Sequence, residues 1–202
     1  MDTRVKFGII GAGNMGAIHL GFFSDGRIEN AVVTAVADID GNKLRQIRAL
    51  RPGDYACFSS GAELIEKADV DAVIIATPHF SHPELAKAAF QKGLHVLSEK
   101  PTGVYGKQIV EMNEAAAKSG KLFGVMFNQR ANPLHMALHD QMQSGAIGRL
   151  KRVNWIITNW YRTQHYYDSG AWRATWAGEG GGVLINQAIH QIDLLQWFVG
   201  MP

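Results

Sequence analysis

The feature of this sequence that most constrains its fold is a glycine-rich turn near the amino terminus. Gly11-Ala-Gly13-Asn-Met-Gly16 directly follows the apolar run Val5–Ile10 and opens a helical segment, Asn14–Ser24. In such a turn the first glycine permits tight bending, the second allows close approach of a ligand, and the third lets the helix pack on the strand. The amino end of that helix presents unpaired N–H groups and a positive dipole. Strand, turn and helix together predict a site for the pyrophosphate of a dinucleotide.

The same turn predicts which residues contact the dinucleotide. The expected contacts along the turn are Gly11, Ala12, Gly13, Asn14, Met15 and Gly16. Asp38 ends the second apolar run about 20 residues later, where an acidic side chain binds the adenosine ribose diol. The next residues, Ile39 and Asp40, supply no cation for a 2′-phosphate, so we expect NAD rather than NADP. The ordinary alternative for Asp38 is a helix N-cap.

Strands and helices alternate up to about residue 127. The predicted strands are Val5–Ile10, Ala31–Ala37, Asp71–Ala76, His95–Ser98 and Leu122–Phe127, and the predicted helices are Asn14–Ser24, Gly41–Leu50, Gly61–Lys67, Pro83–Gln91 and Gly106–Ser119. Strands that are apolar without alternation are buried on both faces. With helices between them they predict a doubly wound parallel α/β sheet, a Rossmann domain over residues 1–127.

The pattern changes in residues 128–202. We expect an amphipathic helix at Pro133–Ser144, a long, partly alternating strand at Leu150–Tyr161, irregular chain over 162–182 and one long helix at Val183–Val199. The alternating strand suits an open sheet with one exposed face. One strand and two helices cannot close a core, so residues 128–202 are expected to be part of a truncated α+β substrate domain.

Composition excludes several classes of protein. The chain is 47% hydrophobic and carries a formal net charge of +2, with no run of Lys or Arg longer than two. We therefore expect neither a nucleic-acid nor a membrane partner. The amino terminus lacks a signal-peptide pattern, and no apolar stretch approaches the roughly 18 residues of a membrane span. The single cysteine, Cys57, favours a reducing compartment, so the expected location is cytoplasmic.

Several motifs along the chain resemble one known family, the Gfo/Idh/MocA oxidoreductases. They are the glycine turn, Ala76-Thr77-Pro78-His79-Phe80-Ser81-His82, Glu99-Lys100-Pro101, Asn128-Gln129-Arg130, Trp172-Arg173, and Gly180-Gly181-Gly182 followed by Asn186, His190 and Asp193. The combination of Glu-Lys-Pro with a later His-x-x-Asp helix is the most specific part. The resemblance implies hydride transfer between NAD(P) and a secondary alcohol of a sugar, polyol or sugar derivative. It also implies a longer protein whose further sheet commonly forms homo-oligomer contacts.

The resemblance implies that Lys100 and His190 flank the reacting carbon, and that the Lys100–Pro101 bond is often cis. Further expected cofactor contacts are Thr77, Pro78, His82, Glu99 and Lys100, although His82 is better suited to fixing the loop after Pro78. Lys100 also follows a strand of the sheet, at the edge where open α/β sheets bind ligands. Its ammonium can donate to a substrate oxygen, or act as base if burial lowers its pKa. The alternative is an ordinary solvated lysine.

The predicted helix Val183–Val199 has one polar face. At about 100° per residue, Asn186, His190, Asp193 and Trp197 share a sector, while the opposite side is apolar. Histidine titrates near neutrality and can carry the hydroxyl proton, and Asp193 can orient its ring or hold a substrate hydroxyl. Asn186 stands where many family members have Asp, which leaves hydroxyl binding but removes a charge. A solvent-exposed face is the alternative, and no cluster completes a metal site, so no metal is expected.

The remaining expected substrate contacts are Asn128, Arg130, Trp172 and Arg173. The alternative for the first two is a strand-end cap and a surface cation, and for the last two it is loop packing. His19, His95, His135 and His139 are treated as structural or surface residues. Three functions stay open at this point: a sugar or polyol dehydrogenase using NAD, a non-catalytic dinucleotide-binding sensor or truncated remnant, and an epimerase or lyase that retains its NAD.

Overall fold

The computed structural model describes residues 3–158 and 161–201, which divide into two compact units, Met1–Met126 and Phe127–Pro202. The first unit is built on a parallel sheet. Its strands are β1 (Val5–Ile10), β2 (Ala31–Ala37), β3 (Ala56–Phe58), β4 (Ala72–Ile75), β5 (His95–Ser98) and β6 (Phe123–Val125). They lie in the order β3-β2-β1-β4-β5-β6, and every neighbouring pair is parallel. The predicted doubly wound Rossmann sheet is confirmed. The sequence analysis missed β3, because three residues are too short to show a period.

Five helices connect these strands. They are α1 (Asn14–Ser24), α2 (Gly41–Leu50), α3 (Gly61–Lys67), α4 (His82–Gln91) and α5 (Gly106–Ser119). Side chains fix several of their ends: Asp40 accepts a hydrogen bond from the Asn42 amide at the start of α2, and Ser60 accepts one from the Glu63 amide at the start of α3. Gly120 ends α5 in the left-handed conformation, with φ 66°, where glycine avoids the steric cost of a Cβ.

The core lies on both faces of the sheet. Ile9 and Ile74 join a cluster with Leu20 of α1, whereas Ile10 and Ile75 join a second cluster with Leu64 of α3. Successive strand residues point to opposite faces, which explains why these strands are apolar without alternation. The strand order changes direction between β1 and β4, and doubly wound sheets bind ligands at the carboxyl ends of the strands at that point.

The second unit is helical. It contains a 3-10 turn at Asn128–Ala131 and the helices α6 (Pro133–Gln143), α7 (Gln164–Asp168), α8 (Trp176–Glu179), α9 (Val183–Asn186) and α10 (Ile189–Val199). The strand predicted at Leu150–Tyr161 is not formed at residues 150–158 and 161, and residues 159 and 160 lie outside the described residues. A strand needs a neighbour for its N–H and C=O groups, and residues 127–158 and 161–201 supply no strand to pair with it.

The single helix predicted at Val183–Val199 is wrong, because it is interrupted between α9 and α10. Ala188 has φ −80° and ψ 3°, outside the regular helical range. The apolar side of the predicted helix is also not the side that is buried in α10. The α10 residues that are buried are Asp193, Leu194 and Phe198, whereas Ile192 is 44% exposed. The Phe198 ring packs 5.9 Å from the His135 ring of α6, so contact with α6 selects the buried face.

Candidate functional site

The glycine turn is held in place by close backbone contacts. Gly11 has φ +102°, and a Cβ there would lie 2.6 Å from the Ala76 carbonyl oxygen. A Cβ on Gly16 would lie 1.8 Å from the Gly11 carbonyl oxygen. A Cβ on Gly13, by contrast, would have no described atom beyond its chain neighbours within 4 Å. The fold therefore requires two of the glycines, while the third faces open space that a ligand can enter.

The start of α1 is suited to an anion. Asn14 and Met15 are exposed, and within the described part of the chain no side chain caps the helix or places a carboxylate in its first turn. The first N–H groups of a helix have no intrahelical partner, and the helix dipole favours negative charge there. This turn therefore fits the diphosphate of a dinucleotide.

Asp38 is fixed beside the turn. One carboxylate oxygen accepts a hydrogen bond from the Ala12 amide at 2.8 Å, and the other accepts one from the Asp40 amide at 2.8 Å. Asp40, not Asp38, caps α2, so the N-cap alternative for Asp38 is wrong. A carboxylate has about four acceptor positions, and two remain for ribose hydroxyls. Ile39 is 90% exposed and brings no positive charge.

The loop after β4 is tied to the loop after β5 by His82. Its Nε2 lies 2.7 Å from the Thr77 carbonyl oxygen and its Nδ1 lies 2.7 Å from the Pro101 carbonyl oxygen. Burial lowers the pKa of His82, although the two carbonyls act in the opposite direction. The residue is completely buried, so its ring offers no surface to the cofactor contact expected for it. Thr77 accepts a hydrogen bond from the Ser81 hydroxyl at 2.7 Å, and Pro78 precedes a 3-10 turn.

Lys100 follows β5, and its bond to Pro101 is cis. The preceding Glu99 is 6% exposed, and its Oε1 lies 2.8 Å from Nε2 of His19, which is 4% exposed. The second oxygen of Glu99 accepts a hydrogen bond from the Lys100 amide at 3.3 Å. Glu99 is thus enclosed by its own protein neighbours, which leaves little surface for the cofactor contact expected there.

In the second unit Arg130 and Asp193 bind each other. Arg130 donates to both carboxylate oxygens, from Nε at 2.8 Å and from Nη2 at 2.5 Å. This two-pronged pair raises the pKa of Arg130, and the guanidinium also lies 5.5 Å from the Trp197 ring centroid. The carboxylate that was expected to orient His190 or hold a hydroxyl is bound to Arg130. Arg130 itself is not a lone surface cation.

His190 lies beside a cavity. Its ring packs edge-on against Phe127, with centroids 6.0 Å apart. The cavity has a volume of about 530 Å³ and is also lined by Gln129, Trp155 and Gln191. Asn128 is exposed in the adjoining 3-10 turn. This cavity belongs to the second unit alone.

Trp172 and Arg173 take part in loop packing. The Arg173 guanidinium lies 4.3 Å from the Tyr166 ring centroid and 4.6 Å from that of Trp172, and it donates to the Tyr166 hydroxyl at 2.8 Å. A Cβ on Gly178 would lie 2.0 Å from the Trp172 carbonyl oxygen. The packing alternative describes both residues in this structure.

Asn186 is buried against Glu179, a residue that the sequence analysis missed. The Asn186 amide donates to the Glu179 carboxylate, and each residue is 5% exposed. With Arg162, Trp176 and Gln187 they line a second cavity of about 430 Å³. The available signal was an acidic residue directly before Gly180-Gly181-Gly182.

Two further findings concern metal binding and membrane-spanning helices. Across residues 3–158 and 161–201, no group of three or more His, Cys, Asp or Glu side chains is placed to hold a metal ion. Over the same residues, no helix has the length and apolar character needed to cross a membrane.

The chain is similar to known proteins along its whole length. It is 34% identical over 202 residues to inositol 2-dehydrogenase 4 of Saccharopolyspora erythraea, covering 98% of this chain and 55% of that protein. It is 27% identical over 199 residues to the rhizopine catabolism protein MocA of Rhizobium meliloti, covering 98% and 58%. The chain thus spans little more than half the length of these relatives.

Solved structures of dehydrogenases are also similar to this chain. The WlbA dehydrogenase of Bordetella pertussis, in complex with NADH and UDP-GlcNAcA, superposes with a TM-score of 0.87 at 29% identity, covering 99% of this chain and 56% of that one. The scyllo-inositol dehydrogenase of Lactobacillus casei with NAD(H) and scyllo-inositol gives 0.81 at 25% identity, covering 98% and 56%.

Two family matches cover most of the chain. Residues 5–127 match the oxidoreductase family with an NAD-binding Rossmann fold, and residues 135–202 match a GFO/IDH/MocA C-terminal domain. Since the first match alone spans more than half of the sequence, this chain belongs to the Gfo/Idh/MocA family of oxidoreductases.

Proposed function

We propose that this chain is the cofactor-binding part, and the beginning of the substrate-binding part, of an enzyme that transfers hydride between NAD and a secondary alcohol of a sugar, polyol or sugar derivative. The observation that carries the proposal is the Asp38 carboxylate, hydrogen-bonded to the Ala12 amide of the glycine turn. In this division residues 1–127 hold NAD and residues 128–202 begin the substrate domain.

The preference for NAD follows from charge. Asp38 is positioned to accept hydrogen bonds from the ribose hydroxyls, whereas a 2′-phosphate would bring two like charges together. Ile39 offers no compensating cation. The N–H groups at the start of α1 hold the diphosphate, with Gly13 leaving room for its approach.

The reaction needs a proton acceptor and a group that stabilises negative charge on the substrate oxygen. Bound NAD supplies the hydride acceptor. We assign Lys100 to the substrate oxygen, because its position after β5 lies at the ligand-binding edge of the sheet. We assign His190 to exchange of the hydroxyl proton, because imidazole titrates near neutrality.

The substrate class is supported by the relatives and by the polar lining of the second cavity. Inositol dehydrogenases and a UDP-GlcNAcA-bound dehydrogenase are among the similar proteins. Glu179, Asn186 and Gln187 line that cavity with groups that can donate to and accept from hydroxyls. A hydroxyl-rich ligand suits this lining.

Location and assembly complete the proposal. Cys57 is exposed as a free thiol, which supports a cytoplasmic location. The full-length protein is proposed to form homo-oligomers, because the resemblance places such contacts in the family's further sheet.

The test is a panel of sugars and polyols incubated with the natural full-length protein and either NAD or NADP. The proposal predicts NADH formation with at least one polyol or sugar derivative, and faster reaction with NAD than with NADP. NADH binding without turnover of any panel member would instead identify a sensor. Conversion of a substrate with no NADH released would identify chemistry that retains its NAD.

A further inference from the structure

A buried histidine–carboxylate pair joins the cofactor helix to the segment that carries Lys100. His19 lies on α1, just beyond the glycine turn, and contacts Glu99 at 2.8 Å. The side chains are 6% and 7% exposed. We assign the hydrogen of this contact to Nε2 of His19, because an ionised carboxylate only accepts hydrogen bonds. From the sequence alone, His19 is a structural or surface residue with no expected role at the site.

Glu99 connects three parts of the first unit. Its carboxylate accepts from His19 of α1 and, at 3.3 Å, from the Lys100 amide. Its own amide donates to the Ile75 carbonyl at the end of β4 at 2.8 Å. One residue therefore fixes the main chain of Lys100 to both the helix and the sheet.

A second histidine fixes the other side of Lys100. Nδ1 of the buried His82 ring lies 2.7 Å from the Pro101 carbonyl oxygen. The main chain of Lys100 is thus fixed before and after the residue, through Glu99 to His19 and through Pro101 to His82. Only the His19 branch leads to the helix whose first turn fits the diphosphate.

Stability alone does not explain the His19–Glu99 pair. Replacing both partners of a buried hydrogen-bonded pair by apolar side chains of similar shape can be nearly neutral or stabilising, because burial strips polar groups of water. A polar pair next to Lys100 makes a directed contact, which an apolar pair cannot make. That contact sets the orientation of the loop that carries Lys100.

We propose that His19 is a positioning residue for Lys100: it orients Glu99, and through Glu99 the Lys100 main chain, relative to the cofactor helix. The inference rests on the proposed function, in which Lys100 meets the substrate oxygen. Loss of the His19 contact then lowers the rate of hydride transfer and leaves NAD binding nearly unchanged, since the glycine turn and Asp38 remain in place.

The test compares three variants of the full-length protein. His19→Met removes the donor, His19→Gln keeps one at the position of Nε2, and Tyr55→Phe removes a different hydrogen bond of the same unit, from its hydroxyl to the Arg51 carbonyl at 2.9 Å. We expect His19→Met to lower kcat by roughly 10- to 100-fold, with NAD affinity within about 3-fold. His19→Gln restores most of the rate, and Tyr55→Phe leaves it unchanged.

Two further readouts separate positioning from loss of folding. A substrate deuterated at the reacting carbon should show a larger isotope effect on kcat in His19→Met than in the wild type, because hydride transfer becomes limiting. The rate of amine labelling of Lys100, followed by mass spectrometry, should change in His19→Met and not in His19→Gln. If His19→Met does not fold, His19→Leu, which also removes the donor at Nε2, supplies the same comparison.

The outcomes distinguish the two proposals. Unchanged kcat, isotope effect and Lys100 labelling in His19→Met overturn the positioning role. A wild-type protein that turns over no panel substrate overturns the proposed function, and the labelling of Lys100 then decides the positioning role on its own.

Discussion

In the first unit the polar groups of the site are held largely by the main chain around a parallel sheet, whereas in the second they are held by other side chains. Asp38 accepts from two backbone amides, and His82 contacts two backbone carbonyls. Arg130 instead binds Asp193, and Asn186 binds Glu179. The first arrangement follows from the path of the strands; the second depends on which helices pack together. Substitutions should therefore act differently in the two units.

The largest expected effect is a loss of turnover in the first unit with little change in cofactor binding. Lys100→Met should lower turnover by about 1000-fold, because it removes the ammonium proposed to donate to the developing oxyanion. The glycine turn is untouched, so NAD affinity should stay within about 3-fold. Steady-state kinetics and NAD titration of the same preparation measure both quantities. Wild-type turnover in this variant would remove Lys100 from the reaction.

Substitutions of two glycines in the same turn should affect different properties, stability at Gly16 and NAD binding at Gly13. Gly16→Ala places a Cβ 1.8 Å from the Gly11 carbonyl oxygen, and overpacking of this kind costs about 3 kcal/mol. Gly13→Ala faces open space, so it should leave the unfolding midpoint unchanged and weaken NAD binding. Chemical denaturation and NAD titration test the pair. Equal loss of stability in both variants would contradict the geometry of the turn.

The two units also differ in how much of their structure could be predicted from the sequence. The glycine turn and the non-alternating runs of β1 and β4 are local patterns with one structural solution. Their sheet is as predicted except for the short strand β3. The alternation at Leu150–Tyr161 is also local, but a strand requires a partner, which the sequence pattern did not supply. The sequence over Val183–Val199 has a continuous helical periodicity, so it does not indicate the break at Ala188.

The side-chain pairs could not be predicted because they join residues far apart in sequence. His19 and Glu99 are separated by 80 positions, and Arg130 and Asp193 by 63. The residue types at Arg130 and Asp193 indicated a site, but their mutual binding depends on the packing of α10 against the 3-10 turn and α6. In the second unit, Arg130, Asp193 and Asn186, each predicted singly to contact the substrate, are therefore found bound to another side chain.

Arg130→Ala tests the side-chain pairing in the second unit. It leaves the Asp193 carboxylate, which is 9% exposed, without its guanidinium partner. The free energy of unfolding should fall by about 2 kcal/mol, a figure reduced because the arginine is partly exposed. Asp193→Asn keeps one acceptor and should cost about half as much. Hydrogen exchange of the α10 amides reports the local effect. Unchanged protection in both variants would show that the pair does not hold this helix.

The smallest expected effect is a pH dependence confined to the first unit. Burial lowers the pKa of His82, so the unfolded chain binds a proton more readily than the folded one. The stabilisation is fully present above the unfolded pKa of about 6.5 and is lost as pH falls below it. His82→Gln should flatten the dependence of the denaturation midpoint on pH. His165→Gln, at an exposed position of the second unit, should not. A wild-type slope in both would contradict this role.

The central claim is that the first unit selects NAD through a carboxylate fixed at its glycine turn. Its most direct test is titration of the wild-type protein and of Asp38→Ala with NAD and with NADP. Asp38→Ala is expected to raise the Kd for NAD by about 10-fold, through loss of hydrogen bonds to a charged acceptor. The same change should raise the Kd for NADP much less, or lower it. Equal effects on the two cofactors would show that Asp38 does not bind the ribose.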